Sequence, residues 1–245
     1  MLDKIALENV FFIDIETVPQ FPSYAELPDN FRKLWDTKAS RIKVPDVGET
    51  AEELYPRAGI YSEFGKIMCI SLGFFRHEAG NLTFRVKSVF GDDEKKVLQG
   101  YNDIMKIFNP TIHFLCAHNG KEFDFPYIAR RMVINGMKLP GYLDIAGKKP
   151  WESDYLLDTM QLWRFGDIKN YTSLELLCTV MGIPTPKDDI EGSDVWHVYW
   201  KDHALTRIVD YCEKDVVAIA RLFMKLLLTM TGPATSVFSI RTIPS

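Results

Sequence analysis

The apolar positions divide the chain into a β-rich opening and a largely helical second half. Asn9 to Ile15 (NVFFIDI) is an apolar run of strand length, and 66–76 (KIMCISLGFFR) and 82–90 (LTFRVKSVF) read as two more strands. The HEAGN stretch at 77–81 separates the last two and predicts an antiparallel hairpin. Gly91-Asp92-Asp93 then opens a helix to about Phe108, with aspartate supplying the N-cap and an acidic first turn. Ile112–Ala117 (IHFLCA) predicts a short strand, followed by a helix from about Phe125 to Asn135. DYLLDTM, near 154–160, predicts a further strand. From Ser173 the period becomes helical: SLELLCTVM stops at Gly182, a weaker turn follows Ser193, and a long helix spans about Leu205 to Thr229. Three strands followed by alternating helices and strands predict an α/β fold. Its five-stranded mixed sheet has the first three strands antiparallel and helices on its flanks.

One segment breaks the alternation. Residues 20–64 carry Pro22, Pro28, Pro45 and Pro56 with short helical stretches such as Phe31–Thr37, and are too short and too polar for a core of their own. They predict a helical insertion after the first strand, lying on a single domain of residues 1–230, with 231–245 as a C-terminal tail.

Composition narrows the classes. A chain of 245 residues, 47% hydrophobic and 25% charged, is globular and long enough to bury a core without staples. With 29 basic and 33 acidic residues the net charge is −4, so no basic field covers the surface and any nucleic-acid contact must be local, in a groove. Cys69, Cys116, Cys178 and Cys212 form no C-x-x-C pair, which argues against a cysteine-based zinc site or a disulfide framework. They read as buried small hydrophobes in a reducing compartment. The N-terminus lacks a signal-peptide pattern and no apolar stretch is long enough for a bilayer, so the expectation is a cytoplasmic protein with no membrane partner.

Three acidic stations carry the candidate chemistry. Asp14 and Glu16, two apart on a strand, share a face, although a lone D-x-E also describes a strand end reaching water. Asp124 ends AHNGKEFD at a strand-to-helix junction, where N-capping is the ordinary job of an aspartate. Tyr211 and Asp215, four apart in the last helix, share a face beside apolar Ile208, Val209, Cys212, Val216 and Ile219; an exposed acidic turn would read the same way. Taken together, carboxylates converging from two strand ends and a helix need cations to stay ionised, and hard divalent ions suit them. Two such ions about 3.5–4 Å apart can hold the attacking and leaving oxygens of a phosphoryl displacement.

In these motifs the chain resembles the DEDD superfamily of 3′–5′ exonucleases. Within it, the resemblance is to the proofreading exonuclease domain of family B DNA polymerases and its stand-alone bacterial relatives. The matching stretches are Asp14-Ile15-Glu16-Thr17, then His118-Asn119-Gly120-Lys121-Glu122-Phe123-Asp124, then Tyr211-Cys212-Glu213-Lys214-Asp215. They occur in that order between Asn9 and about Thr229, and the Tyr-x-x-x-Asp spacing marks the tyrosine subgroup. The resemblance implies a ribonuclease H-like fold, with Asp14, Glu16, Asp124 and Asp215 as ligands of two divalent metal ions, Mg²⁺ or Mn²⁺. It makes Tyr211, a largely neutral phenol of pKa about 10, the group that orients the attacking water. Thr17, Asn119, Phe123, Lys169 and Tyr171 would contact the nucleic acid.

The implied reaction is hydrolysis of the last phosphodiester of a single-stranded 3′ end, DNA preferred, releasing nucleoside 5′-monophosphates. One rival is an RNA 3′-end trimmer resembling ribonuclease D. A second is a non-catalytic nucleic-acid-binding module, weakened by the presence of all five catalytic side chains. With no polymerase domain in the chain, proofreading would need a polymerase or repair partner in trans. Around the acids, Asp158 is expected in a buried hydrogen-bonding role, His118 as a satisfied or supporting group, and Thr172 or Ser173 as a helix cap. Lys121, Arg130, Arg131 and Lys169 would guide the strand, and Arg32, Lys33, Lys38, Arg41 and Lys43 would wall the channel. Trp151, Trp163, Trp196 and Trp200 are divided between base stacking and the core.

Overall fold

Alternation along one central strand sets the layering of the protein. The structure is a computed structural model and describes residues 5–42, 50–78, 81–167, 171–184 and 190–231. Its strands are β1 (Val10–Pro19), β2 (Gly65–Glu78), β3 (Asn81–Phe90), β4 (Phe114–Ala117) and β5 (Leu156–Asp158). They form one sheet ordered β3-β2-β1-β4-β5. The first three pair antiparallel, whereas β4 runs parallel to β1 and β5 parallel to β4. The helices are α1 (Asp29–Ala39), α2 (Glu94–Ile104), α3 (Asp124–Ile134), α4 (Thr159–Arg164), α5 (Leu174–Val180), α6 (Val195–Trp200) and α7 (Leu205–Thr231). The five-stranded mixed sheet flanked by helices is the architecture that the sequence pattern predicts.

Odd positions of β1 face one helical layer, where Phe11, Ile13 and Ile15 pack with Val97 and Leu98 of α2 and Phe125 and Ile128 of α3. Even positions face the other: Val10 and Phe12 pack with Val216, Ile219 and Phe223 of α7, and Val18 joins Val198 of α6 and Ile208 of α7. Asp14 and Glu16 therefore interrupt an otherwise apolar row, directly beneath α7. The register holds through Glu16, which pairs with Cys69; Thr17 then pairs with Ile67, leaving Met68 as the extra residue of a bulge on β2.

Several boundaries differ from expectation, each for a local reason. The 154–160 run gives only a three-residue strand, because Asp158 caps α4, accepting hydrogen bonds from the N–H groups of Met160 and Gln161. Asp124 is the first helical residue of α3 rather than its cap, a position taken by Phe123. Ser173 does cap α5, accepting from Leu176 N–H, and Asp93 caps α2, accepting from Lys96 N–H. Ala79 and Gly80 of the expected hairpin turn, and residues 232–245 of the tail, lie outside the described residues.

The insertion is a clearer correction. It has a small core of its own, in which buried Trp35 packs with Leu27, Leu54, Tyr55 and Ala58 and is edged by Phe31, Tyr61 and Phe64. Its aromatic residues supply the apolar area that its prolines and charges obscure. This unit docks on the end of β1 through Gly59, where an added Cβ would lie 2.9 Å from Val18 Cα. Trp196 and Trp200 pin the same crossing by donating their indole N–H to the carbonyls of Pro22 and Pro19, both at 3.1 Å. No helix among the described residues is long and apolar enough to cross a membrane.

The seat of α7 depends on small residues in β2. The row beneath the helix reads Cys69, Ser71, Gly73, Phe75. A Cβ on Gly73 would come within 2.6 Å of Val216 Cγ1 and closer still to the Phe84 ring, so only glycine lets the helix lie this near. Gly73→Ala is expected to cost about 1–3 kcal/mol through overpacking, measured by denaturant unfolding. Gly141→Ala, where an added Cβ meets nothing within 4 Å, should stay within about 0.5 kcal/mol of the parent.

Candidate active site

The acids of β1 and the motif on α7 meet across the sheet–helix interface. Asp14 is half-buried and Glu16 buried. Burial raises the pKa of both well above the ordinary carboxylate range. The nearby charge of Asp215 is the next cause for each, and Asp124 also adds to both. Tyr211 lies half-buried on the same helix face as Asp215, to which its hydroxyl hydrogen-bonds. Burial first, and then Asp215, Glu16 and Asp14, push this phenol far above its usual pKa, so it is neutral at any working pH.

Cys212, read from sequence as a small hydrophobe, is more than that. It is buried, and its thiol donates to Asp14 Oδ2 at 3.3 Å and approaches the Asp14 carbonyl at 3.4 Å. Ligand atoms of Asp14, Glu16 and Cys212 lie within 4.8 Å of one another. The signal available in the sequence was its place between Tyr211 and Asp215, on the side of the helix that the apolar residues turn toward the sheet.

The second station is organised by Asp158. This carboxylate is 2% exposed and accepts four N–H groups: those of Asn119 at 2.9 Å, Lys121 at 3.2 Å, Met160 at 2.9 Å and Gln161 at 3.3 Å. It ties the turn after β4 to the start of α4. Within the turn, Asn119 holds a left-handed backbone (φ 61°) and its carbonyl accepts from Glu122 N–H and Phe123 N–H. His118 is satisfied on both ring nitrogens, by Thr159 Oγ1 at 2.8 Å and the Thr172 carbonyl at 2.9 Å, and burial lowers its pKa.

Asp124, presented by this turn, differs from Asp158 in its hydrogen bonding. It is 3% exposed, and its Oδ1 has no hydrogen-bond partner among the described residues. Burial raises its pKa to about 7 against the opposing N–H groups of Asp124 itself and Ile15. A buried carboxylate oxygen lacking a donor, beside three more acids, is a donor set that fits a hard divalent cation.

The other expected nucleic-acid contacts separate. Tyr171 is 67% exposed and close enough to Asp124 for that charge to help burial raise its pKa. Phe123 is half-buried, its ring 5.3 Å from that of Tyr127. The Thr17 side chain hydrogen-bonds the Tyr127 hydroxyl on the opposite face of β1, leaving only its backbone for a contact on the acidic side. Lys169 and Lys43 lie outside the described residues.

Arg131 cannot guide a strand as expected. It is buried, ion-paired to Glu94 and donating to the Ser62 carbonyl at 2.8 Å. Arg130 is exposed. Arg32 is spent on the Ala25 and Leu27 carbonyls, and Lys38 lies over the Tyr61 ring at 4.1 Å, so these two serve the insertion itself.

The five-stranded mixed sheet carries these carboxylates on its centre strand, facing the last described helix. The chain belongs to the family described as a predicted 3′–5′ exonuclease related to the exonuclease domain of PolB, whose model matches residues 60–236. The structure is similar to that of the family B DNA polymerase from the hyperthermophilic archaeon Pyrobaculum calidifontis, with a TM-score of 0.47 and 16% sequence identity. That match covers 90% of this chain and 24% of the polymerase, so the chain spans about a quarter of its length. No curated protein matches the chain. The family expected from the three motifs is thus the one found.

Protonation links this cluster to stability. Asp124 releases its proton at about 7 in the folded chain and at about 3.9 when unfolded. The folded state holds the extra proton between those values, so stability falls as pH rises. Asp124's contribution is complete below about pH 4 and lost above about pH 7. In chelator, the advantage of Asp124→Asn over the parent in thermal denaturation should therefore grow between pH 5 and pH 8. Adding Mn²⁺ at pH 8 should raise the melting temperature of the parent more than that of Asp124→Asn. Identical pH slopes for the two proteins would mean that Asp124 is already ionised in the fold.

Proposed function

We propose that the chain is a divalent-metal-dependent 3′–5′ exonuclease that hydrolyses the terminal phosphodiester of single-stranded DNA ends and releases nucleoside 5′-monophosphates. One observation carries this reading: Asp14, Glu16, Asp124 and Asp215 lie close enough to act on one another's charge, with the Tyr211 hydroxyl on Asp215. Like charges gathered under a buried helix are costly unless cations neutralise them. These four acids would hold two Mg²⁺ or Mn²⁺ ions, which when bound supply charge neutralisation and Lewis acidity for attack at phosphorus.

The chain's own groups have separate tasks. Tyr211, fixed as a neutral phenol, positions the attacking water through its hydroxyl and does not remove a proton from it. The Cys212 thiol holds one oxygen of Asp14. Asp158 keeps the turn bearing Asp124 rigid, and Tyr171 meets the terminal nucleotides beside it. A net charge of −4 offers few cations for phosphate contacts, so a short grip on one strand fits better than the hold on a long duplex. Kinship with the PolB exonuclease domain favours DNA over RNA.

A 5′-labelled ladder of single- and double-stranded DNA and RNA, with and without Mn²⁺, tests the proposal. Stepwise shortening from the 3′ end is expected, with single-stranded or 3′-overhanging DNA degraded ahead of blunt duplex. Asp14→Asn and Asp215→Asn should abolish turnover with the fold intact. Tyr211→Phe should lower the rate by about 10²–10⁴-fold with little change in stability. Cutting of a circular single strand would refute an exonuclease, and a strict preference for RNA would replace DNA as the substrate.

A further inference from the structure

Helix α4 is braced at both ends against the turn that presents Asp124. At its start Asp158 accepts the N–H groups of Asn119 and Lys121, and at its end Arg164 pairs with Glu122 at 3.1 Å. The helix stops at Phe165, whose backbone is left-handed (φ 45°, ψ 35°). That conformation is unfavourable for a bulky residue, and glycine or asparagine would end the helix at lower cost. The Phe165 ring is nevertheless 76% exposed, more than any other large apolar side chain among the described residues. It adds almost nothing to the core and occupies a strained position, a combination that persists where the side chain meets a ligand. Tyr171, also exposed, lies within reach of the Asp124 charge.

We propose that Phe165 is a base-stacking residue that holds the single strand a few nucleotides upstream of its 3′ end. The inference rests on the exonuclease reading above. Seven residue steps at about 1.5 Å each place Phe165 roughly 10 Å beyond Asp158 along α4. At about 3.4 Å per stacked nucleotide, that span corresponds to two or three nucleotides. Every base presents a π-face, so a single exposed ring grips the strand without reading sequence. The Arg164–Glu122 pair, one residue before Phe165, ties this end of α4 to the turn that presents Asp124. Tyr171 serves the end of the strand and Phe165 its approach.

The test uses the full chain with Asp215→Asn to block turnover, and single-stranded DNA carrying 2-aminopurine at the second, third or fourth position from the 3′ end. Binding should quench the fluorescence at one of these positions. Phe165→Gly should abolish the quenching and weaken binding by about 5- to 150-fold, the range expected for losing one base–ring stack. Its melting temperature should hold or rise, because glycine accepts the left-handed backbone freely. A purely structural residue would not separate stability from binding in this way. Phe165→Trp should retain both quenching and affinity. Unchanged quenching and affinity in Phe165→Gly, with the parent enzyme degrading single strands from the 3′ end, overturns this proposal and leaves the exonuclease reading intact. Failure of the parent enzyme to degrade single strands overturns both.

Discussion

The seating of α7 on β1 and β2 is the constraint from which the site follows. Carboxylates two apart on a strand are separated by a fixed rise, and residues four apart on a helix by about one turn. Neither ladder can adjust separately, so the docking of one on the other decides whether the acids meet. The helix is anchored along its length, with Ile208 against Val18, Val216 over Gly73 and Phe223 5.7 Å from Phe12. The N-terminal half carries Tyr211, Cys212 and Asp215. Rotating the helix by one residue would turn these side chains by about 100° and dissolve the site without unfolding the protein.

The same interface works against itself electrostatically. Asp14 and Glu16 occupy the row in which Val10, Phe12 and Val18 drive folding, and burial raises the pKa of both acids. Apolar clusters on both faces of the sheet supply the free energy that tolerates this local penalty. A polar chain runs beside these acids: Ser71 meets Ser88 at 2.8 Å, and Ser88 donates to Glu213 at 2.7 Å, connecting β2 and β3 to α7. Any cation that prefers the folded cluster therefore stabilises the fold by mass action.

What could be read in the sequence was whatever local spacing determines. The period of two placed Asp14 and Glu16 on one face, and the period of 3.6 placed Tyr211 and Asp215 on another. Order along the chain then joined them to Asp124, and alternation of strands and helices gave the sheet. What escaped depended on partners far along the chain. Arg131 looked like a surface cation until Glu94, 37 residues away, claimed it in the interior. Cys212 looked apolar because its partner, Asp14, is 198 residues distant. The insertion looked coreless because the packing around Trp35 joins residues from Leu27 to Phe64. The DYLLDTM run was misjudged for a different reason, since Asp158 ends the strand by capping the next helix.

Asp158 and Asp124 show how neighbouring buried acids acquire different work. Both are almost fully buried and both sit at the start of a helix. Asp158 is surrounded by four N–H donors, which stabilise its charge and commit both oxygens to the backbone of two segments. Asp124 keeps an oxygen for which the described residues provide no donor. Leaving such an atom unsatisfied is expensive in a chain that lives by folding alone. The expense makes sense where a cation completes the set, and hydrogen bonding therefore sorts these two carboxylates more sharply than burial or motif position does. The saturated one builds the turn, and the starved one keeps an oxygen free for the proposed cation.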